Sequence, residues 1–437
     1  MTQKTALLEA AHHAVIYSLP LYEMARMRAA SSPRRGPGGE FASDSISSSI
    51  RWCNGFTHSR RLLTPKNREV VSPNNDTLYD NTWLDLADGP LLIELPNMGN
   101  RYWTLGFLDL WTNPFAYAGR RTTGQCAQRL FVHGPRWQGN LPPDTIEIAA
   151  PGDDLWIIGR MLVDLNAADL VTAHQLQDAF TIRHAADGSI AWKRSDMLLD
   201  GRLTDTPSPE QFLRIVAAML SRNPVPAAEQ NLLNGFSSFG LISGNPAADA
   251  ANRDAFAAAL LQVYEELRHD AQPSLLGGGW SVPVTIRTNY GNDYETRARV
   301  ARNLIGALGI EEAMYPLCEV DANGDPLDGR ARYELYFGPQ QAPQVDAFWS
   351  LTMYDRSDCL LVENEIDRYS IGDRTADLIW DADGGLRILM QPYDPGPGHN
   401  WLPTPLDDEF YVVLRLYQPR ATHLQMKFVY PPLRRLD

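Results

Sequence analysis

Patterned cysteine and histidine are missing from this sequence. The chain has 437 residues but only four cysteines, and none of them forms a Cys-x-x-Cys pair. Its nine histidines show neither a His-x-His nor a His-Glu-x-x-His spacing. These absences exclude the usual zinc and redox motifs, so we predict no metal site. A glycine-rich phosphate loop that ends in Lys-Ser or Lys-Thr is missing as well, and we predict no organic cofactor.

Long apolar runs and a basic N-terminal region are also missing. No stretch of about 18 apolar residues occurs, which is the length that a membrane-spanning helix needs. The N-terminal region lacks the basic segment and apolar core that mark a signal peptide. The four unpatterned cysteines suit a reducing compartment. We therefore expect a cytoplasmic protein that does not contact a membrane.

Positive charge is under-represented. Lysine and arginine total 39 against 53 aspartates and glutamates, so the net charge is −14 at pH 7. Because nucleic-acid binders are usually basic, we exclude nucleic acid as a partner and favour a small molecule, neutral or cationic. Hydrophobic residues make up 44% of the chain, as in globular proteins. The 11 tryptophans, 17 tyrosines and 14 phenylalanines favour sheet packing over stacking against a flat or sugar-like ligand.

Helical and β patterns alternate along the chain. Residues 4–30 have a helical pattern that we expect to break at Pro20. Short apolar runs bounded by turn residues follow up to residue 164, and the strands predicted there are 91–95, 102–108, 129–133, 145–149 and 155–162. Helices are then predicted over 167–180, from Pro209 behind a Ser208 cap, over 252–269 and over 294–308.

The β pattern returns in the last third. The strands predicted there are 331–337, 348–354, 386–391, 410–417 and 424–430. Many short, evenly spaced strands are typical of a sandwich or jelly roll. We therefore predict a mainly β fold with α-helices: a helical N-terminal segment (1–60), a β-sandwich (61–190), a helical connector (191–310) and a second β-sandwich (311–437).

Spaced motifs give the chain a family resemblance. One group includes Asn74-Asn75-Asp76-Thr77-Leu78-Tyr79, Trp83-Leu84-Asp85-Leu86 and Gly119-Arg120-Arg121-Thr122-Thr123-Gly124. Another includes Phe348-Trp349-Ser350-Leu351-Thr352-Met353-Tyr354-Asp355, Arg368-Tyr369-Ser370-Ile371-Gly372, Asn400-Trp401-Leu402-Pro403 and Arg415-Leu416-Tyr417. Together they resemble a pair of bacterial domains of unknown function, DUF1254 (61–190 here) followed by DUF1214 (311–437 here).

The resemblance implies two jelly-roll-like sandwiches joined by helices. It also implies a loose likeness in shape to sugar-amide hydrolases of the peptide N-glycosidase type. Many members of the family look exported, whereas this chain shows no leader. A shared shape does not transfer chemistry, so the resemblance assigns no catalytic roles.

Two loop carboxylates are the candidate catalytic residues. Asp76 lies in the polar Asn-Asn-Asp-Thr turn, and Asp109 follows the strand predicted over 102–108. If these loops meet at one rim, the two carboxyl groups can take different pKa values and act as general acid and general base. The alternative is structural: Asp76 closes an Asx-turn and Asp109 caps a strand end.

Arginine, amide and aromatic side chains are the candidate substrate-binding residues. Arg101, Arg121, Arg368 and Arg415 lie in or beside strand-like runs, where each either clamps a substrate oxyanion or pairs with an internal carboxylate. Loop residues of the second half either contact substrate or satisfy buried backbone groups. The predicted binding residues are Tyr79, Arg101, Arg121, Asn364, Arg368, Tyr369, Asn400 and Trp401.

These candidates lead to one expected function and two alternatives. We expect a small-molecule enzyme of cellular metabolism, a hydrolase or lyase that uses acid–base chemistry for hydrolysis, elimination or cyclisation. The first alternative is a non-catalytic ligand- or glycan-binding sandwich protein. The second is a structural homo-oligomer with an exposed apolar face. A pocket in which Asp, Arg and Tyr converge would favour the enzyme.

Overall fold

The computed structural model describes residues 3–45, 48, 50–68, 72–164, 166–195, 205–268, 273–283 and 286–436. The helices are α1 (Gln3–Ser31), α2 (Ala167–Asp178), α3 (Pro209–Arg222), α4 (Gln230–Gly235), α5 (Ala250–Arg268), α6 (Tyr294–Asn303) and α7 (Ala421–Leu424). The strands up to residue 195 are β1 (Arg51–Cys53), β2 (Thr57–His58), β3 (Thr77–Asp85), β4 (Leu91–Leu95), β5 (Trp103–Leu108), β6 (Pro114–Gly119), β7 (Gln128–His133), β8 (Ile146–Ala149), β9 (Asp154–Leu162), β10 (Thr181–His184) and β11 (Lys193–Ser195). The later strands are β12 (Ser274–Gly277), β13 (Trp280–Val282), β14 (Ala313–Met314), β15 (Leu317–Cys318), β16 (Tyr333–Phe337), β17 (Val345–Asp355), β18 (Ser370–Gly372), β19 (Leu386–Gln391), β20 (Asn400–Pro403), β21 (Phe410–Pro419) and β22 (Arg434–Arg435).

Strands β2 to β10 build a sandwich that we call the first half, and β1 pairs with β11 in a separate two-stranded sheet. Its larger sheet has the order β2-β3-β9-β5-β6, and the facing sheet has the order β10-β4-β7-β8. Alternate residues of β9, such as Leu155, Ile157 and Met161, share one buried core with residues of the facing sheet, such as Ile93 and Val132. The residues between them on β9 therefore lie on the outer face of the larger sheet.

The later strands build a second sandwich, the second half. Its larger sheet runs β12-β13-β15-β21-β17-β18, with β14 also paired to β21, and the facing sheet runs β20-β19-β16-β22. Leu351 and Met353 of β17 and Leu414 of β21 point into the core between these sheets, together with Leu335 and Ile388. The intervening residues of β17 and β21 therefore lie on the opposite face.

Helix α1 forms the centre of a helical layer on the first half. It contacts α3, α5 and α6, and its residues from Ala14 to Ala25 are buried. The expected break at Pro20 is wrong, because the helix continues through this residue. Contacts with helices on several sides hold α1 together where proline removes one backbone hydrogen bond.

The predicted fold class is confirmed: the chain is mainly β, with two sandwiches, a helical segment between them and an N-terminal helix. The predicted strands 91–95 and 386–391 coincide with β4 and β19. The strand predicted over 424–430 is wrong, since α7 ends in it and Met426 has a positive φ of 54°. The boundaries of the halves also differ, because β13 pairs with β15 and β12 pairs with β13, which extends the second sandwich into the predicted connector.

The two halves meet along the outer faces of their larger sheets. Tyr102 packs with Phe348 and Tyr417 across this contact, and its hydroxyl donates to Glu312, 2.9 Å away. The segment before β3 also crosses the boundary, because the Asn74 amide donates to the Tyr417 hydroxyl at 2.7 Å. Both faces of each larger sheet are therefore covered around the contact, which explains why β9 and β21 are largely apolar on both faces.

Each helix in the described ranges is too short or too polar to cross a lipid bilayer.

Candidate ligand-binding site between the two halves

A cavity of about 680 Å³ lies between the halves, and we call it the central cavity. Most of its wall is apolar. The residues that line it are Leu63, Ser72, Asn74, Tyr79, Trp156, Ile158, Arg160, Pro273, Ser281, Pro283, Leu304, Ile305, Gly306, Ala307, Tyr315, Leu317, Glu319, Val413 and Arg415. A volume of this size is typical of small-molecule sites, which combine apolar walls with a few polar groups.

Arg160 supplies one polar group of the central cavity. It lies near the end of β9, opposite Tyr79 of β3 and Thr104 of β5. Since Ile157, Gly159 and Met161 alternate with it toward the sandwich, Arg160 projects from the outer face toward the second half. Its side chain is 6% exposed, and Nη1 donates to the Tyr315 hydroxyl at 2.7 Å.

Arg415 supplies the second guanidinium from the other half. It lies on β21 opposite Ser350 of β17 and is also 6% exposed. Nη2 donates to the backbone oxygen of Ser72 at 2.8 Å and to the Tyr354 hydroxyl. Ser72 has a left-handed φ of 47°, so a strained turn of the first half directs its carbonyl toward this guanidinium.

Neither guanidinium forms an ion pair with a described residue. Within the described residues, no carboxylate oxygen lies within 4.0 Å of Arg160 or Arg415, and Nε of each lacks a hydrogen-bond partner. The buried Arg28 differs, because its Nη1 lies 2.6 Å from Asp154. Isolated buried charge is costly, so two such arginines at one cavity are unusual for a purely structural role.

The Tyr315 ring lies close to both guanidiniums. Its ring centroid is 6.0 Å from Cζ of Arg160 and 5.3 Å from Cζ of Arg415. Burial raises the pKa of Tyr315, and the two guanidiniums oppose that shift. The phenol is therefore protonated at neutral pH. Because its oxygen accepts a hydrogen bond from Arg160, its own hydrogen can be donated to a ligand.

Asp76 lies at the boundary of the halves, but its contacts are structural. Its carboxylate accepts from the Ser350 hydroxyl and from Arg374 Nη2, both at 2.6 Å. The predicted Asx-turn is made by Asn74 instead, whose Oδ1 accepts from the Asp76 amide at 2.7 Å. Asp76 lines a separate small cavity beside Ser350 and Arg374, outside the residues that line the central cavity.

Asp109 lies at the other end of the larger sheet. Its Oδ1 accepts from the backbone amides of Trp111 and Asn113 at 2.8 and 2.9 Å, and burial raises its pKa. Thr77, next to Asp76, pairs with Leu162 of β9, whereas Leu108 pairs with Trp156. Six residues of strand span about 20 Å. The structure therefore does not bring Asp76 and Asp109 together, and the acid–base pair lacks the necessary geometry.

Two predicted substrate clamps on the first half are internal ion pairs. Arg101 Nη1 lies 2.8 Å from Asp169, and Arg121 Nε lies 2.7 Å from Glu312, which is 1% exposed. Each of the two arginines therefore pairs with a carboxylate of the protein itself.

The predicted binding residues of the second half donate hydrogen bonds within that half, mostly to backbone oxygens. The Asn364 amide donates to the backbone oxygens of Val362 and Arg368 at 3.0 and 2.9 Å, and Asn400 likewise donates to Ile379 and Arg387. Two further contacts close these loops, from Arg368 to the Trp401 carbonyl at 3.0 Å and from Tyr369 to the Asp367 carboxylate at 2.7 Å. Asn364 and Trp401 line another groove, of about 500 Å³. Of the predicted binding residues, Tyr79 lines the central cavity.

Sequence reasoning missed Arg160 and Tyr315 and did not retain Arg415 as a binding residue. A signal was present, because Arg160 and Arg415 each interrupt an otherwise apolar strand pattern, in Leu155–Leu162 and Tyr411–Tyr417. A charge inside a strand covered on both faces needs a partner. Across the described residues, no three His, Cys, Asp or Glu side chains are grouped as metal ligands.

Two family models match the chain. Residues 53–184 match DUF1254 and residues 312–421 match DUF1214, both described as proteins of unknown function. The chain belongs to the DUF1254/DUF1214 family. The central cavity of this family member receives residues from both matched segments, such as Arg160 from the first and Arg415 from the second.

The fold is shared with a solved structure. The VPA0106 protein from Vibrio parahaemolyticus matches with a TM-score of 0.74 and 23% identity, over 99% of this chain and 100% of that chain. An uncharacterized protein from Burkholderia cenocepacia matches with a TM-score of 0.43 and 12% identity, over 99% of this chain and 95% of that one. A comparison with curated proteins gives no match.

Proposed function

We propose that this protein binds a small organic molecule in the central cavity. The observation that carries the proposal is the convergence of Arg160, Arg415 and Tyr315, from both halves, on one cavity of about 680 Å³ with mainly apolar walls. Apolar walls supply affinity, and a few converging polar groups supply orientation. A site at the contact between two sandwiches also explains why the chain keeps both halves together.

Acid–base catalysis is the second candidate function, and Tyr315 favours it. A protonated phenol that already accepts a hydrogen bond from a guanidinium can donate its own proton to a bound molecule. In this form of the proposal, Tyr315 replaces Asp76 and Asp109 as the acid, and hydrolysis, elimination or cyclisation remain the reaction types. Tyr315→Phe then lowers kcat, whereas a pure binding protein shows no turnover before or after the substitution.

Filling the central cavity tests the proposed site. Ala307 lines the cavity, whereas Ala258 on α5 is exposed, so Ala307→Trp and Ala258→Trp form a matched pair. A library of small metabolites is screened by thermal unfolding against the original protein and both variants. A ligand at 100 times its Kd raises the Tm by about 3 °C for a chain of this size.

The proposal predicts that such ligands stabilise the original protein and Ala258→Trp but not Ala307→Trp. A library in which no compound stabilises the original protein, or in which every active compound also stabilises Ala307→Trp, contradicts it.

The cellular setting is proposed on separate grounds. All four cysteines are free, including the exposed Cys126, which suits a cytoplasmic protein. A homo-oligomer and a glycan-binding role stay predictions of the sequence, and native mass spectrometry tests the oligomer directly.

A further inference from the structure

We propose that the ligand of the central cavity is an organic anion with an apolar body, and that Arg160 and Arg415 together hold its oxyanion. This inference rests on the proposed function and names the chemical class of the ligand. Carboxylate and phosphate monoester head groups share the required chemistry, so the experiment below separates them.

The donors left over on the two guanidiniums support an oxyanion. Arg160 uses Nη1 for Tyr315, and Arg415 uses Nη2 for Tyr354 and the carbonyls of Ser72 and Pro73. Nε of both arginines is buried without a hydrogen-bond partner among the described residues. In Arg160, Nε and Nη2 lie on the same side of the guanidinium and present the two parallel donors that a carboxylate or phosphate accepts. In Arg415, Nη2 is in use, and Nη1 is the terminal donor left for the same head group.

The charges around the cavity point the same way. Glu319 is the acidic residue among those that line it, and its Oε1 lies 3.5 Å from Arg356. The positive charges of Arg160 and Arg415 are therefore not neutralised from inside the cavity. The buried Arg28 shows what such neutralisation looks like, because its Nη1 lies 2.6 Å from Asp154. An incoming anion offsets the cost of burying Arg160 and Arg415.

The positions of the two guanidiniums fit a single head group. Both lie within about 6 Å of the same Tyr315 ring, and the Tyr315 hydroxyl offers a third donor beside them. One oxyanion above this ring can therefore meet donors from both halves. Binding would then connect β9 of the first half to β21 of the second.

The rest of the cavity fits an apolar body. Trp156, Ile158, Leu304, Ile305 and Val413 also line it. Gly306, with a φ of 77°, lies so close to Trp156 that a Cβ there would come within 2.6 Å of the ring. The cavity wall is therefore closely packed around Gly306 and Trp156. An unbranched or flat apolar ligand body suits such a wall better than a sugar does.

Isothermal titration with three probes of equal chain length tests the inference. Octanoate carries a carboxylate, octyl phosphate carries a phosphate monoester, and octanamide is the neutral match. They are titrated into the full-length protein and into Arg160→Met and Arg415→Lys, with circular dichroism as the check on folding. Arg415→Lys keeps the positive charge but loses the planar guanidinium. It therefore covers the case in which a neutral variant at that position does not fold.

The expected result is that at least one anionic probe binds the original protein about 10- to 100-fold more tightly than octanamide, and that Arg160→Met removes this preference. Stronger binding of octanoate or of octyl phosphate identifies the head group. If octanamide binds as tightly as both anions, the anion assignment is overturned while the proposed site stands. If none of the three binds, the proposed function falls as well.

Discussion

Arg160 of the first half donates a hydrogen bond of 2.7 Å to the hydroxyl of Tyr315 in the second half. This contact joins a strand residue that has no carboxylate partner in the described chain to a phenol at the edge of the central cavity. It places charge and a proton donor from different halves within reach of one ligand. Arg160 has no carboxylate partner among the described residues, whereas the buried Arg28 pairs with Asp154, and we expect the two to respond differently to substitution.

Arg160→Met is expected to change the free energy of unfolding by about 1 kcal/mol or less. The variant loses one hydrogen bond to Tyr315, but it also removes a buried charge that no carboxylate neutralises. The matched control is Arg28→Met, because Arg28 is equally buried but pairs with Asp154 at 2.6 Å. Arg28→Met leaves the buried carboxylate of Asp154 less neutralised and lowers the free energy of unfolding by about 3–5 kcal/mol.

Urea unfolding of both variants at pH 7 measures this difference. Equal, large losses of stability in the two variants would show that Arg160 is as structural as Arg28, which contradicts a ligand-binding role.

Asp76→Asn is expected to destabilise the contact between the halves by about 2–4 kcal/mol. The substitution removes the charge that pairs with Arg374 at 2.6 Å, and Asp76 is 3% exposed. The control is Asp346→Asn, since Asp346 pairs with Arg420 at a similar distance but both side chains are more than half exposed. An exposed pair contributes about 1 kcal/mol or less.

Chemical denaturation compares the two variants. A loss for Asp76→Asn no greater than the loss for Asp346→Asn would mean that this ion pair does not hold the halves together. If Asp76 is instead catalytic, turnover of an identified substrate falls while stability is unchanged.

His423 is expected to make the protein less stable as the pH falls from about 6.5 toward 4. Its ring is fully buried, and burial lowers its pKa from 6.5 to about 4. Nε2 accepts from the backbone N–H of Gln344 at 3.1 Å, so the neutral ring donates through Nδ1 to the Tyr430 hydroxyl. Above pH 6.5 the ring is neutral in both states, and no stability depends on it. Below pH 6.5 the unfolded chain takes up a proton that the folded chain refuses until about pH 4, so unfolding becomes easier.

The loss attributable to His423 is about 2 kcal/mol between pH 7 and pH 5. It is measured as the difference between the original protein and His423→Gln in urea titrations at both pH values, which cancels other acid-titrating groups. Parallel pH profiles for the two proteins would rule out this role.

The sequence predicts the sheet architecture better than it predicts the site. Period-2 alternation and turn residues are local signals, which is why β4 and β19 begin and end where the pattern predicts. The predicted break at Pro20 is wrong because packing against α3, α5 and α6 keeps α1 helical there. Such packing is not visible in a local sequence pattern.

The site depends on which face of one strand meets which face of another. Asp76 and Asp109 look alike as loop carboxylates in sequence, but they lie at opposite ends of β9. Arg160 and Arg415 are 255 positions apart in the chain and reach one cavity through the pairing of the halves. Composition and site differ in what they favour, because a net charge of −14 favours a neutral or cationic ligand, whereas two guanidiniums line the central cavity.

The most direct test of the central claim is a crystal structure of the protein soaked with octanoate. The account predicts the carboxylate within hydrogen-bond distance of Arg160 and Arg415, with the chain lying along Leu304 and Ile305. Octanoate bound elsewhere on the protein, with the central cavity free of it, would contradict the account.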